Sequence, residues 1–530
     1  MSVKSCEWKR VLSEPFDTAR CQRLRPHVAI VVAATTTLAI ASGLELSEHL
    51  RFDYHDDSGI VGWGSVHAYP KQQDFFYFLL TMLGVPLVIT LFWSGWAVCS
   101  LAIARWTRRP LDRVLMDTAL ATLPLLLAAG GVLYPDRSGG WGLGLPIGLT
   151  IAAGLGVSLR LRLGSPPNTP TARRPRSDGA KRPPMQHHRS RIESIARFGI
   201  LYVALPVLLY LLTYSGATGG RIDLFHEGEP LASFDEMLRG GIPYRDIYIQ
   251  HGLFQDAWMP WIAAQLFEPT LGGVRTLERM LGPLGYVAIY LLGLQVYRGG
   301  PLTALALVLV VSAKGHWLLT RHGLGVLAFA LVAAQLSDPG QRERGIGGFG
   351  WRLALAGLCT SLAFWYSADT GLLTLGAVGL FLLAYSLRTG AAPRERTLPL
   401  VCYGAGVAFG FGVVAAPFAL EGALSDVFRN TWTQSIYQTR VWGLPFPPFA
   451  SVVEPLAEMG IAGGWKRFLL SESFRWYLPI LVFLVSGAYL TYRGMVGGFW
   501  KSEGCVKLLL LWIGGIAFFR SALGRSGARI

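Results

Sequence analysis

Apolar runs recur along the whole chain, separated by short polar connections. Crossing the hydrocarbon takes roughly 20 residues of helix, and runs of that order fall at 27–46, 75–103, 115–134, 141–160, 197–215, 274–296, 301–313, 322–336, 352–367, 370–387, 399–419, 476–492 and 505–519. The pattern predicts an all-α, polytopic membrane helix bundle of about 13 spans. The first run, from His27 to about Leu46, is too long and too poorly flanked for a cleaved signal, so it reads as a retained span.

Two runs, 301–313 and 322–336, are shorter than the hydrocarbon thickness, and KGHWLLTRH lies between them with Lys314, His316, Arg321 and His322. Charged residues on stunted helices predict a loop that dips into protein or a watery cavity. The alternative is that all four sit at an ordinary interface. Residues 165–191 are rich in Pro and Arg with almost no apolar content, which predicts a disordered linker. The chain thus divides into a four-span region at 1–160, a basic linker at 161–195 and a larger membrane module at 196–530.

Composition supports a membrane protein: 530 residues are 52% hydrophobic and only 15% charged, too little charge to clothe several soluble domains. The net charge of +15 comes from 48 Lys+Arg against 33 Asp+Glu. With the N-terminus inside, the strongly basic connections at 105–113, 160–192, 342–344 and 394–396 all fall on the cytoplasmic side, while the basic tail after 519 breaks that rule. No basic stripe with interleaved aromatics is present, so a nucleic-acid partner is excluded. The six cysteines show neither metal-ligand spacing nor a close pair.

By this sidedness residues 216–260 are extracytoplasmic, and they crowd seven acids (Asp223, Glu227, Glu229, Asp235, Glu236, Asp246, Asp256) against three bases (Arg221, Arg239, Arg245). Carboxylates gathered beside a bilayer are expensive and therefore point to function. Within this loop 229–239 predicts a short amphipathic surface helix, with Leu231, Phe234 and Leu238 at spacings of three and four, Pro230 in the first turn and Gly240-Gly241 at the end. Asp256 and His251 read either as site residues or as capping and interfacial groups, and Asp369, after an apolar run, reads as a cap of the next span or a cavity residue.

These residues resemble the polytopic glycosyltransferases of the GT-C fold, in particular the aminoarabinose-transferase and protein O-mannosyltransferase branches. Phe225-His226-Glu227 is similar to their acidic F-D-E, Met237 to Gly241 to their turn after the surface helix, and Asp246 with His251 to their D-x-H. Trp258 to Phe267 followed by Val274-Arg275 is similar to their aromatic helix and A-R pattern. The resemblance covers about 197–420 and implies sugar transfer from a polyprenyl-phosphate donor to a lipid, glycan or protein acceptor, on the outer face of a bacterial plasma (inner) membrane. His226 stands where the family commonly has its catalytic Asp. That departure moves the general base to Glu227, with Glu229 and Asp223 as alternatives, and leaves His226 beside the substrate.

Attack by an acceptor hydroxyl requires removal of its proton, and the leaving phosphate requires preorganised cations or a metal. Candidate cations are Arg245, Lys314, Arg321 and Arg440. A divalent cation such as Mg or Mn would find hard oxygen ligands in Glu227, Glu229 and Asp246, although cationic side chains can do the same electrostatic work. A second external loop, 420–475, carries Trp432, Tyr437, Arg440, Trp442 and the run PFPPF, which suits either recognition of a sugar or headgroup or an aromatic belt. Two other functions fit a polytopic chain: a transporter of lipid-linked glycan, which predicts an internal repeat that is not found, and an envelope assembly protein without catalysis.

Overall fold

The computed structural model describes residues 18–49, 71–128, 144–163, 198–214, 222, 227–297, 301, 304–305, 308, 317–337, 350–388, 393–441, 458–459, 464, 468, 471–496 and 499–524. The helices run in the order α1 (Thr18–His49), α2 (Lys71–Thr107), α3 (Leu111–Leu120), α4 (Gly144–Leu163), α5 (Leu205–Thr213), α6 (Gly228–Leu238), α7 (Met259–Leu266), α8 (Leu271–Val296), α9 (Trp317–Leu336), α10 (Trp351–Tyr366), α11 (Ala368–Ser386), α12 (Pro393–Leu420), α13 (Leu424–Val441), α14 (Glu472–Val496) and α15 (Glu503–Gly524). No strand occurs among the described residues, only an isolated bridge between Pro243 and Ile247.

The chain is an all-α membrane protein. Among the described residues five helices are long and apolar enough to cross a bilayer: Phe75–Thr107, Leu271–Val296, Ala368–Ser386, Arg396–Leu420 and Trp476–Met495. Shorter apolar helices occupy His27–Gly43, Pro146–Val157, Ile200–Thr213 and Arg321–Leu336. The run at 115–134 is instead broken: α3 ends at Leu120 and a 3-10 turn follows at Leu123–Leu127, with Pro124 in its first turn. The linker at 165–191 lies outside the described residues, as does most of the run 301–313.

Two further expectations change. Trp317 to His322 belong to the first turns of α9 and not to a dipping loop, because the apolar helix extends five residues upstream of the predicted run. The segment after 420 is not simply a long loop, since 424–441 forms helix α13, polar on one side and apolar on the other.

The chain packs as two compact units. One comprises residues 1–55, 72–179 and 447–497, so that α14 packs with α1 to α4. In it Val31, Trp96 and Ala119 form a small core, Thr118 ties Trp96 Nε1 and the Ser100 hydroxyl at 3.0 and 2.9 Å, and Trp93 meets Tyr492 edge-on.

The other unit comprises 56–71, 180–446 and 498–530 and holds α5 to α13 and α15. Its largest core gathers Phe329, Val332, Leu353, Val378, Phe381, Tyr403 and Leu510 from α9, α10, α11, α12 and α15. Helices α10 and α12 touch backbone to backbone: a side chain at Gly357 would collide with the Tyr403 carbonyl and one at Gly406 with that of Ala354. Such small-residue contacts let membrane helices gain dispersion energy where lipid offers no hydrophobic drive.

This unit has two chemically different ends. Lys507, at the start of α15, donates to the Gln295 carbonyl in the last turn of α8 and to the Ser337 hydroxyl just past α9, and pairs with Glu503 at 2.7 Å. Arg352 at the start of α10 donates to the Ala334 carbonyl, so that helix begins at the same end. The opposite end carries the starts of α8, α9 and α11 and the loop 239–258, and there the acids collect.

Candidate active site at a helix break

Helix α10 runs toward this end and α11 packs back alongside it, the helical path breaking between them at Ser367. The sequence Ser-Ala-Asp-Thr-Gly holds weak helix formers, and Ser367 takes an extended backbone (φ −153°, ψ 108°) while fully buried. The interruption exposes peptide groups that the polar loop satisfies: Ala368 N–H donates to the His251 carbonyl at 2.8 Å. Gly252 sits against the Tyr366 carbonyl so closely that a Cβ would lie 2.5 Å from its oxygen, so only glycine permits this docking.

Asp256 fixes the other side of that contact. Its carboxylate accepts the His251 N–H at 2.5 Å, the Gly252 N–H at 3.4 Å and a bond from His251 Nδ1 at 3.0 Å. Both side chains are nearly buried. Asp256 is thus the cap that the sequence allowed, and it also orients His251. With Nδ1 committed, Nε2 has no hydrogen-bond partner among the described residues and is the nitrogen open to a ligand.

Before this dyad the chain turns through Pro243-Tyr244-Arg245-Asp246. Tyr244 has a φ of 71°, strained for a bulky residue, and it is held by packing edge-on to Trp365 and Phe418. Burial, reinforced by the charge of Asp256, pushes its phenol well above its ordinary value, so it stays neutral. Asp246 does not join His251: its carboxylate accepts the Ile242 N–H at 2.9 Å and pairs with Arg245 at 3.4 Å, closing the turn. Arg245 also donates to the Glu421 carbonyl, so its guanidinium ties the turn to the end of α12. Asn430 of α13 grips Ile249 through both backbone groups, donating at 2.6 Å and accepting at 3.2 Å.

Surface helix α6 forms as predicted, with Gly240 (φ 90°) past its end. Its inward side is not quite the predicted one. Phe234 is buried and Leu231 half-buried, but Leu238 is 65% exposed and Met237 packs inward in its place.

Glu227 precedes α6 and is engaged by Arg275 of α8 in a two-pronged bridge, Nε to Oε1 at 2.7 Å and Nη2 to Oε2 at 2.8 Å. A carboxylate whose two oxygens face one guanidinium is a poor proton acceptor. One turn further along α8 stands Glu278, accessible and within the fields of Glu227, Arg275 and Arg279. Arg279 Nη1 is buried without a hydrogen-bond partner among the described residues. Tyr366 packs against Val274 and Leu277 of α8, Arg321 reaches Ser367 and the dyad docks through the His251 carbonyl, so the α8 acid, the α9 arginine and the dyad approach the same helix break. Sequence reading noted Arg275 as part of a pattern without giving it a role, and it missed Glu278 and Arg279. The available signal was an acid amid an otherwise apolar span.

Arg321 is buried and spent on the break itself, with Nε donating to the Ser367 hydroxyl at 2.7 Å and Nη2 pairing with Asp369 at 2.8 Å. Asp369 also accepts from the Ser367 hydroxyl and the Thr370 N–H, so the expected cap and an unforeseen ion pair are the same carboxylate. His322 bonds the Thr370 hydroxyl at 3.0 Å. Glu229 lies in the first turn of α6, where an acid favours the helix dipole.

Asp223, His226 and Lys314 lie outside the described residues, as does the side chain of Arg440, whose backbone is in α13. No group of three or more His, Cys, Asp or Glu that could hold a metal ion occurs among the described residues. Glu227, Glu229 and Asp246 form no such group, because Arg275 takes the first and the 242–246 turn takes the last. No protein-family model, no curated protein and no solved structure matches this chain.

Proposed function

We propose that the chain is an integral-membrane glycosyltransferase of the GT-C type, with about 13 spans, that moves a sugar from a polyprenyl-phosphate donor to an extracytoplasmic hydroxyl. The observation that carries this reading is an oriented His-Asp dyad docked on the helix break, with the α8 turn that bears the accessible Glu278 packed against Tyr366 at that break. The sequence resemblance to GT-C enzymes over 197–420 supports it independently. So does polarity: the starts of α10 and α12, which meet at Gly350 and Cys402, lie opposite the dyad, and the basic residues Arg342, Arg344, Arg394 and Arg396 precede or open these helices in sequence, as expected if the dyad faces outward.

In this reading the acceptor oxygen attacks the anomeric carbon as its proton passes to a carboxylate. The bond from that carbon to the phosphate oxygen breaks, its electron pair leaves with the phosphate, and the anomeric centre inverts. Arg279, whose Nη1 is buried without a hydrogen-bond partner among the described residues, would receive the developing phosphate charge. Arg245 and Arg321 are committed to protein partners and serve the scaffold instead. His251 Nε2 would bond a sugar or acceptor hydroxyl.

The test is purified protein in lipid nanodiscs with polyprenyl-phosphate sugars, with products followed by mass. Cleavage of the sugar–phosphate bond with transfer to an added acceptor is the expected result. Movement of the intact lipid-linked sugar across vesicles without cleavage would establish the transporter instead, and no action on any such donor would sink both.

A further inference from the structure

The five candidate spans contain two acidic residues, Asp369 and Glu278. Asp369 is matched by Arg321 and two hydrogen-bonding groups around the helix break, the Ser367 hydroxyl and the Thr370 N–H. Glu278 makes no ion pair or hydrogen bond among the described residues. A carboxylate in a span costs several kcal/mol if left in hydrocarbon, and membrane helices keep such groups where they line a watery cavity or act.

Its position on α8 decides between lipid and cavity. Met280 and Leu284, 40% and 51% exposed, mark the outward stripe of that helix. At about 100° per residue, Glu278 points about 160° away from Met280, beside Arg275 and the buried Gly282. Val274 and Leu277 bury against Met259 and Ala263 of α7, which clamps the turn that carries Glu278. An accessible acid on the inward side of a helix faces away from lipid, and the groups whose charges it meets are Glu227, Arg275, Arg279 and Tyr366.

We propose, resting on the transferase reading above, that Glu278 is the carboxylate that takes the proton of the acceptor hydroxyl, and that Glu227 positions it through Arg275. The bidentate bridge pins Arg275 and Glu227 together, so the base is the acid left without a guanidinium. The proton passes from the acceptor oxygen to a Glu278 oxygen as the new glycosidic bond forms, and it leaves to water with the product. Arg275 supplies a fixed positive charge one turn away, so its loss would displace rather than remove the base.

Glu278→Gln, Glu278→Asp, Glu227→Gln and Arg275→Lys are compared with the unaltered protein in nanodiscs for turnover, donor Kd and the pH profile. Glu278→Gln should lower kcat by about 10²–10⁴-fold while donor Kd changes little, and the acidic limb of the pH profile should vanish. Glu278→Asp should retain donor binding and the acidic limb at reduced kcat. Glu227→Gln and Arg275→Lys should keep that limb while kcat falls less. Turnover in Glu278→Gln above a tenth of normal overturns the assignment. If Glu278→Gln fails to bind donor, full turnover in Glu278→Asp overturns it, since a base drawn back by one methylene must lose rate. Absence of turnover in the unaltered protein overturns the transferase reading and, with it, this role.

Discussion

At the scale of single residues, the site is governed by which acids are already spoken for. Asp256 accepts three hydrogen bonds, all from His251 and Gly252, and its replacement by Asn trades an all-acceptor group for one with a single acceptor oxygen. Asp256→Asn should cost about 1–3 kcal/mol, read as a lower unfolding midpoint in detergent, and should lower turnover through loss of the His251 orientation. An unchanged midpoint would show that the loop is held without this cap. The same logic explains why sequence reading stopped short at Glu227. His-Glu-Gly-Glu at the exit of a span stands out in the chain, but that Arg275, 48 positions later, occupies both oxygens is not written in any local pattern.

At the scale of elements, the dyad loop is positioned by two helices that differ in how they speak to it. The α10–α11 break offers an unsatisfied peptide N–H, and α13 offers the Asn430 amide, which pairs with Ile249 much as a neighbouring strand would. Asn430→Ala would strand both Ile249 groups in a buried place, and the loop should loosen. Faster amide exchange confined to about 244–252, with α10 and α12 unchanged, is the expected outcome. Exchange unaltered in that loop would mean that the break alone holds it. Helix α6 was legible in advance because Pro230, the apolar spacing and Gly240-Gly241 are local signals. Helix α13 was not, because its aromatics and the Pro-rich run after it resemble a loop when no partner is in view.

At the scale of the whole molecule, the larger unit sorts its chemistry between two ends. Lys507 binds the ends of α8 and α9 from the start of α15, meeting carbonyl-rich helix termini with a cation, while the acids gather at the other end. Lys507→Met leaves Glu503 and those acceptors without their cation and should cost about 3–5 kcal/mol, measured as a fall in the unfolding midpoint of the detergent-solubilised protein. A neutral result would show that water serves those groups equally well. What the sequence determined by itself was the class of molecule, the approximate place of the apolar helices, the surface helix α6 and the acidic character of the loop before α7. These follow from composition and from periodicities that act over a few residues. Only the tertiary structure decided that Glu227 is bound, that Glu278 points inward without a partner, and that α14 packs with α1 to α4. Such pairings join positions tens to hundreds of residues apart, and the energy that selects them exists only once the helices have packed.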